Sequence, residues 1–258
     1  MQCDIRYKPA FATIFVTLEP GESITAEAGA MVSMDSMLTM KTEFSGGFFS
    51  ALAKKIFGGE SLFVNIFSNN TSRPLQVVLS QSVVGDIAEI DLRGREMYFQ
   101  PGAYIAHTTG VQMGVGWAGF TSWFMGEGLF KLKIGGRGKV FFGAYGGITK
   151  KTIKGQFIVD NSHLVAYEPG IKMGIKLSGG LFGSLTSGEG LVNRLSGHGD
   201  IYLQSRSVDG LLRFLLPQIG KVAAAASGRA RVRGMVRDRA MNNLGNMGNI
   251  ADSFFDER

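Results

Sequence analysis

Three glutamates recur in one local setting: Glu60 in GESLF, Glu127 in GEGLF and Glu189 in GEGLV. Paired carboxylates can divide acid and base work between them. Each of these, however, follows a glycine at the expected start of a strand, where a carboxylate can accept backbone N–H groups, so the recurrence reads as a structural motif. A β-barrel metal site draws two or three His and a carboxylate from neighbouring strands. His107, His163 and His198 do not offer that pattern: the first two are expected at non-equivalent places within strands and the third in a turn. No metal and no other cofactor is expected. GGRGK at 135–139 resembles part of a phosphate loop, but Lys133 and Val140 stand where that loop needs Gly and Ser or Thr, so the segment reads as a β-turn. There is no GxSxG elbow, and the single cysteine, Cys3, has no histidine partner that spacing identifies. The chain is read as a protein without catalytic residues.

Two other groups of side chains suit binding better than catalysis. Just before each Gly-Glu motif lies a glycine-bounded apolar segment: SGGFFSALAKKIFGG (45–59), GWAGFTSWFMG (116–126) and SGGLFGSLTSG (178–188). Phe48, Phe49, Phe120, Trp123, Phe124, Leu181 and Phe182 occupy these segments. They can cap a core, fill a subunit interface or insert into a membrane surface, where each ring would contribute about 1.5–3 kcal/mol on burial. The second group is basic. Lys221, Arg229, Arg231, Arg233, Arg237 and Arg239 face one acid, Asp238, so residues 221–239 carry +5 of the chain's net +6. This stretch suits anionic lipid, RNA or DNA, or a solvated linker; charge alone does not choose among them. Residues 1–204 hold 18 basic and 16 acidic side chains, which argues against a nucleic-acid groove across that part.

The elements that must position these groups are β-strands. Glycine reaches 37 of 258 residues, about twice the usual share, with only 6 prolines, as a chain of many short strands and turns requires. Apolar residues alternate at Ile14, Val16 and Leu18, at Leu62, Val64 and Ile66, at Phe130, Leu132 and Ile134, and at Ile171, Met173, Ile175 and Leu177. The segments SNNTSRP (68–74), IGGRGK (134–139) and SGHGD (196–200) are expected hairpin tips. Gly29, Gly110 and Gly170 precede related apolar runs, and with the Gly-Glu motifs they define three internal repeats, about 1–80, 81–145 and 146–205. Units that cannot each close a core are expected to pack about a pseudo-threefold axis. Beyond Ser205 the strand pattern gives way to one or two short helices interrupted at Pro217, then a mobile basic tail to residue 258. The N-terminus lacks an apolar leader, and glycines interrupt the uncharged stretch between Glu96 and Glu127, so neither a signal peptide nor a membrane-crossing helix is expected.

LEPGESITAEAGAMVSM (18–34), GGESLFVN (58–65), GEGLF (126–130) and VFFGAYG (140–146) resemble the altered-inheritance-of-mitochondria 24 family from residue 1 to about 217. The resemblance implies a β-rich fold like that of the tryptophan RNA-binding attenuator protein, three repeats per chain and assembly into higher oligomers. Its mitochondrial members are associated with the inner membrane; its bacterial members are largely uncharacterised. No catalytic residues transfer, and RNA binding by the namesake fold does not transfer with the fold. The expectation is an all-β domain at 1–205 with a helical then basic tail at 206–258. It is expected to act as a non-enzymatic scaffold, cytoplasmic or peripheral at the inner membrane face. Its partners would be copies of itself, as a trimer or higher, and an anionic membrane surface or membrane protein. The alternative is an RNA- or DNA-binding module acting through the Arg-rich tail.

Overall fold

At residues 13–18 the alternation produces one dry face: Ile14, Val16 and Leu18 are fully buried, and Thr13, Phe15 and Thr17 between them are half-buried. The structure, a computed structural model, describes residues 1–44, 63–100, 102–117, 130–177 and 191–220. Among these it contains seventeen strands: β1 (Gln2–Arg6), β2 (Thr13–Leu18), β3 (Ser23–Glu27), β4 (Met31–Met34), β5 (Thr39–Phe44), β6 (Phe63–Ser68), β7 (Leu75–Leu79), β8 (Ile87–Asp91), β9 (Glu96–Phe99), β10 (Tyr104–Thr108), β11 (Val111–Trp117), β12 (Phe130–Gly136), β13 (Lys139–Gly143), β14 (Ile148–Asp160), β15 (Leu164–Tyr167), β16 (Ile171–Leu177) and β17 (Leu191–Gln204). A 3-10 turn, Asn161–His163, joins β14 to β15, and a helix, α1, spans 208–220. The fold is all-β with one short C-terminal helix.

The strands form three antiparallel sheets in the orders β1-β2-β7-β4, β5-β6-β3-β10-β13-β8 and β11-β12-β9-β15-β17-β14, with β16 on β17 beside β15. The inner strands β10 and β13 of the second sheet supply buried side chains to the cores on both sides of it. Ile24, Phe67, Ile105 and Phe141 pack with Ile14, Val16, Val77 and Leu79 of the first sheet. Ile90, Tyr104, Val140 and Phe142 pack with Met97, Phe99, Leu132 and Ile134 of the third. That double burial explains why β10 and β13 read as continuous apolar runs, YIAHT and KVFFG, without alternation. A smaller core of Ile153, Tyr167, Ile171, Leu195 and Ile201 lies within the third sheet. The sequence repeats do not make three equal sheets: β10 and β13 join the layer of β3, β5 and β6, whereas β9, β11 and β12 join the layer of β15 and β17.

Two of the expected hairpin tips are turns, but they pass between sheets instead of closing hairpins: 68–74 leads from β6 of the second sheet to β7 of the first, and 137–138 from β12 of the third to β13 of the second. Asn69 builds the first: its fully buried amide donates to the carbonyls of Leu18 and Arg73, and its Oδ1 accepts from Thr71 N and Oγ1. Residues 137–138 link β12 to β13. The third, SGHGD, is not a tip but lies inside the fourteen-residue β17, where Gly197 faces Gly155 across the ladder and both have positive φ, 126° and 97°. His198 therefore sits in a strand, and His163 in the 3-10 turn rather than in a strand. Nor does Pro217 interrupt α1, which runs continuously through it.

By its contacts the chain divides after Ser207, the strands lying in the first unit and α1 in the second.

Candidate functional site

Three of the antiparallel pairs are hairpins with a long connection. β5 pairs with β6 up to Phe44 opposite Phe63, β11 with β12 up to Trp117 opposite Phe130, and β16 with β17 up to Leu177 opposite Leu191. The hairpins β11–β12 and β16–β17 follow directly on strands β10 and β15, which end in turns at Gly110 and Gly170, whereas the turn at Gly29 joins β3 to β4, and β4 precedes β5. The three glycines are needed for different reasons. Gly29 and Gly110 have φ of 93° and 88°, which an L side chain resists, whereas a Cβ on Gly170 would lie 2.6 Å from the carbonyl oxygen of His198. The connections 45–62, 118–129 and 178–190 lie outside the described residues, and with them Phe48, Phe49, Phe120, Trp123, Phe124, Leu181, Phe182, Glu60, Glu127 and Glu189. Lys221, Arg229, Arg231, Arg233, Arg237 and Arg239 also lie outside. What the structure fixes is the pair of strand ends from which each apolar segment departs.

The shafts of the hairpins carry polar pairs. Thr42 Oγ1 donates to Asn65 Oδ1 at 2.7 Å across β5 and β6. Gly114 faces Lys133, which reaches Glu96 at 2.8 Å, and Gly174 faces Arg194, which bonds Gln156. Lys131, opposite Gly116, is 1% exposed. The sequence gives no sign of that burial, because FKLKIGG places Lys131 and Lys133 on the same, apparently wet, face of the strand. On β14 and β17, Lys154 faces His198 and Gln156 faces Ser196, which also faces Lys172 of β16. Asp200 accepts from Lys150 at 2.6 Å and from Thr152 at 2.5 Å, and these two donors hold its carboxyl below the usual carboxylate range.

The residues with catalytic potential are held in structural roles. His107 is buried on β10 with Nδ1 2.6 Å from the Tyr104 hydroxyl, which is also 3.2 Å from the Thr25 carbonyl. Burial pushes His107 down to about 4 and Tyr104 well up, so both are neutral near pH 7. His163 Nδ1 bonds the Gln204 carbonyl at 2.7 Å, and His198 is exposed. Burial raises the Cys3 thiol to about 11, which leaves it protonated and a poor nucleophile. Lys139, at the end of GGRGK, pairs with Glu89 at 3.0 Å. Among the described residues, no three of His, Cys, Asp and Glu gather as metal ligands would. Nor is any described helix long and apolar enough to cross a membrane.

The layered sheets and their three long-looped hairpins define the molecule as an antiparallel β-protein, and the comparison with known families agrees. Residues 3–206 match the family model described as mitochondrial biogenesis AIM24, and the chain belongs to that family. An uncharacterized protein of Streptococcus pyogenes serotype M6 is 27% identical over 219 residues, spanning 80% of this chain and 88% of that one. A crystal structure of a Streptococcus pyogenes protein, from a structural genomics programme, superimposes with a TM-score of 0.68 at 27% identity, covering 84% of this chain and 99% of that one. The helix α1 begins just beyond the residues that the family model matches.

Proposed function

We propose that the protein is a non-enzymatic, homo-oligomeric β-scaffold that attaches peripherally to the inner face of a membrane. The observation that carries this reading is the recurrence of one device three times: a rigid antiparallel hairpin whose ends launch a glycine-bounded segment rich in Phe, Trp and Leu. The paired strand ends supply position, and the Phe, Trp and Leu side chains of the segments they bound suit burial in an apolar phase. If the three units stand about a pseudo-threefold axis, their apolar segments converge on one end, and oligomerisation multiplies weak individual contacts into stable attachment. The non-enzymatic part draws support from His107 and His163, which are bonded to neighbours, and from Cys3, whose thiol burial keeps protonated.

Co-sedimentation with anionic and neutral liposomes tests the reading. Trp123→Ser is expected to lower salt-resistant binding by roughly tenfold, the loss of one ring's burial. Failure of the intact protein to bind either kind of vesicle at any salt concentration sinks it, and would assign the apolar segments to a subunit interface. A second reading, nucleic-acid binding through the tail, rests on the +5 charge of residues 221–239. It expects salt-sensitive RNA or DNA affinity that disappears on truncation after Ser205.

A further inference from the structure

The second and third long hairpins are built in one register, so their side chains can be matched position by position. In the second, Gly114 of β11 faces Lys133 of β12, which faces Tyr98 of β9; two residues along the same face, Gln112 faces Gly135, which faces Glu96. In the third, Gly174 of β16 faces Arg194 of β17, which faces Ile158 of β14, and the matching row is Lys172, Ser196 and Gln156. Both hairpins keep a cation at the centre, but its surroundings differ. Lys133 is neutralised by Glu96 at 2.8 Å. Arg194 meets, in the place of that carboxylate, the neutral amide of Gln156, and donates to its Oε1. Lys172 stands where the second hairpin has Gln112, and the Ser196 hydroxyl where it has Gly135. The matched positions are together neutral in the second hairpin and carry +2 in the third.

The face that holds this cluster is turned away from the core of Ile153, Leu195 and Ile201. Lys154, opposite His198, adds a further cation to it, and Lys154, Lys172, Arg194 and His198 are all exposed. The acids nearby are engaged elsewhere: Asp200 with Lys150 and Thr152, Asp160 with Ser162, and Glu168 with Arg95 and the Asp200 N–H. Among the described residues no carboxylate comes within ion-pair distance of Lys154, Lys172 or Arg194. Neighbouring strands lie about 4.8 Å apart and same-face residues along one strand about 7 Å, so all three long side chains can reach a group seated over Ser196.

We propose that this face binds a phosphate group in the place that Glu96 fills in the second hairpin. Arg194 and Lys172 supply charge-assisted hydrogen bonds, the Ser196 hydroxyl is a further donor, and Lys154 is a flanking charge. A phosphate, close to a dianion near neutral pH, matches these three cations better than a single carboxylate does. A free phosphate compound and a lipid headgroup share this chemistry. The proposal does not depend on the apolar segments or on membrane attachment.

Equilibrium dialysis of the full-length protein against inorganic phosphate, with ionic strength held constant by sodium chloride, tests the site, beside sedimentation with phosphatidylcholine vesicles that contain phosphatidic acid. The decisive variant is Gln156→Glu, which recreates the arrangement of Glu96 and gives Arg194 a tethered carboxylate. It is expected to lower phosphate affinity at least about tenfold with no fall in the thermal unfolding midpoint, and Arg194→Gln is expected to do the same. Lys133→Gln, in the second hairpin, is expected to leave binding unchanged. A loss of affinity for inorganic phosphate in Gln156→Glu supports a soluble ligand, and a loss confined to the phosphatidic acid vesicles supports a lipid headgroup. Binding that Gln156→Glu and Arg194→Gln leave unchanged overturns the proposal, as does an equal loss in Lys133→Gln, which would show general charge rather than a site. The absence of saturable binding to both probes overturns it too.

Discussion

His107 is held neutral by its surroundings, and that makes stability depend on pH in a defined window. Its folded pKa of about 4 lies below the unfolded value of 6.5, so the unfolded chain takes up a proton first as pH falls. The stability tied to neutral His107 is fully present above pH 6.5, declines as pH falls toward 4 and is flat below that. The difference amounts to about 3 kcal/mol at its largest. Urea unfolding midpoints measured between pH 7.5 and 4.5 are expected to fall in the wild type and to fall much less in His107→Gln. Equal slopes would show that another group titrates. Asp200, whose carboxyl is held low by Lys150 and Thr152, acts below this window, because its stability is lost only as pH drops under the ordinary aspartate range. At this scale the sequence was a partial guide. His163 and His198 were expected in a strand and a turn but lie in the 3-10 turn and in β17, and YIAHT reveals no partner for His107. Tyr104 is three residues away on the same strand, and the third participant, Thr25, belongs to β3.

Individual strands were legible because period-two alternation survives where one face is buried, as in β2 with its fully buried Ile14, Val16 and Leu18, but the hairpins were not, since their tips were expected at 68–74, 134–139 and 196–200. The interior of β17 was not legible, because Gly-His-Gly between Ser196 and Asp200 carries the composition of a turn. In the folded chain that composition serves a strand in which Gly197 lies too close to the Gly170 carbonyl to carry a side chain, while Gly197 and its partner Gly155 both hold positive φ. The middle layer was hidden for the opposite reason: burial on both faces erases alternation. An experiment on elements follows from register. Phe44 lies opposite Phe63, so replacing residues 45–62 by Asn-Gly closes β5 and β6 with a two-residue turn and keeps every cross-strand pair. The expected protein unfolds within about 1 kcal/mol of wild type, with no loss of the body's near-ultraviolet circular dichroism signal, while its vesicle affinity drops. A collapse of stability would show that the segment belongs to the core rather than to a surface function.

Among the described residues the buried clusters and their packed neighbours end at Leu203, and the contact division of the chain falls after Ser207. Truncation after Ser207 is therefore expected to leave the chemical unfolding midpoint of the β-body within about 0.5 kcal/mol of the full chain. A larger drop would mean that the tail stabilises the body directly. The family match and the core cover nearly the same residues, which separates what the fold requires from what this chain appends to it. One feature of that core also bears on synthesis. β17 pairs along thirteen positions with β14 and, on its other flank, with β15 and then β16. It is the last strand of the body to leave the ribosome, so β14 and β16, whose pairing is with β17, must wait for residues 191–204 before their backbones are satisfied. During that interval the nascent chain presents unpaired strand edges and a half-built third sheet, the state in which β-rich chains are most prone to aggregate and most dependent on chaperones.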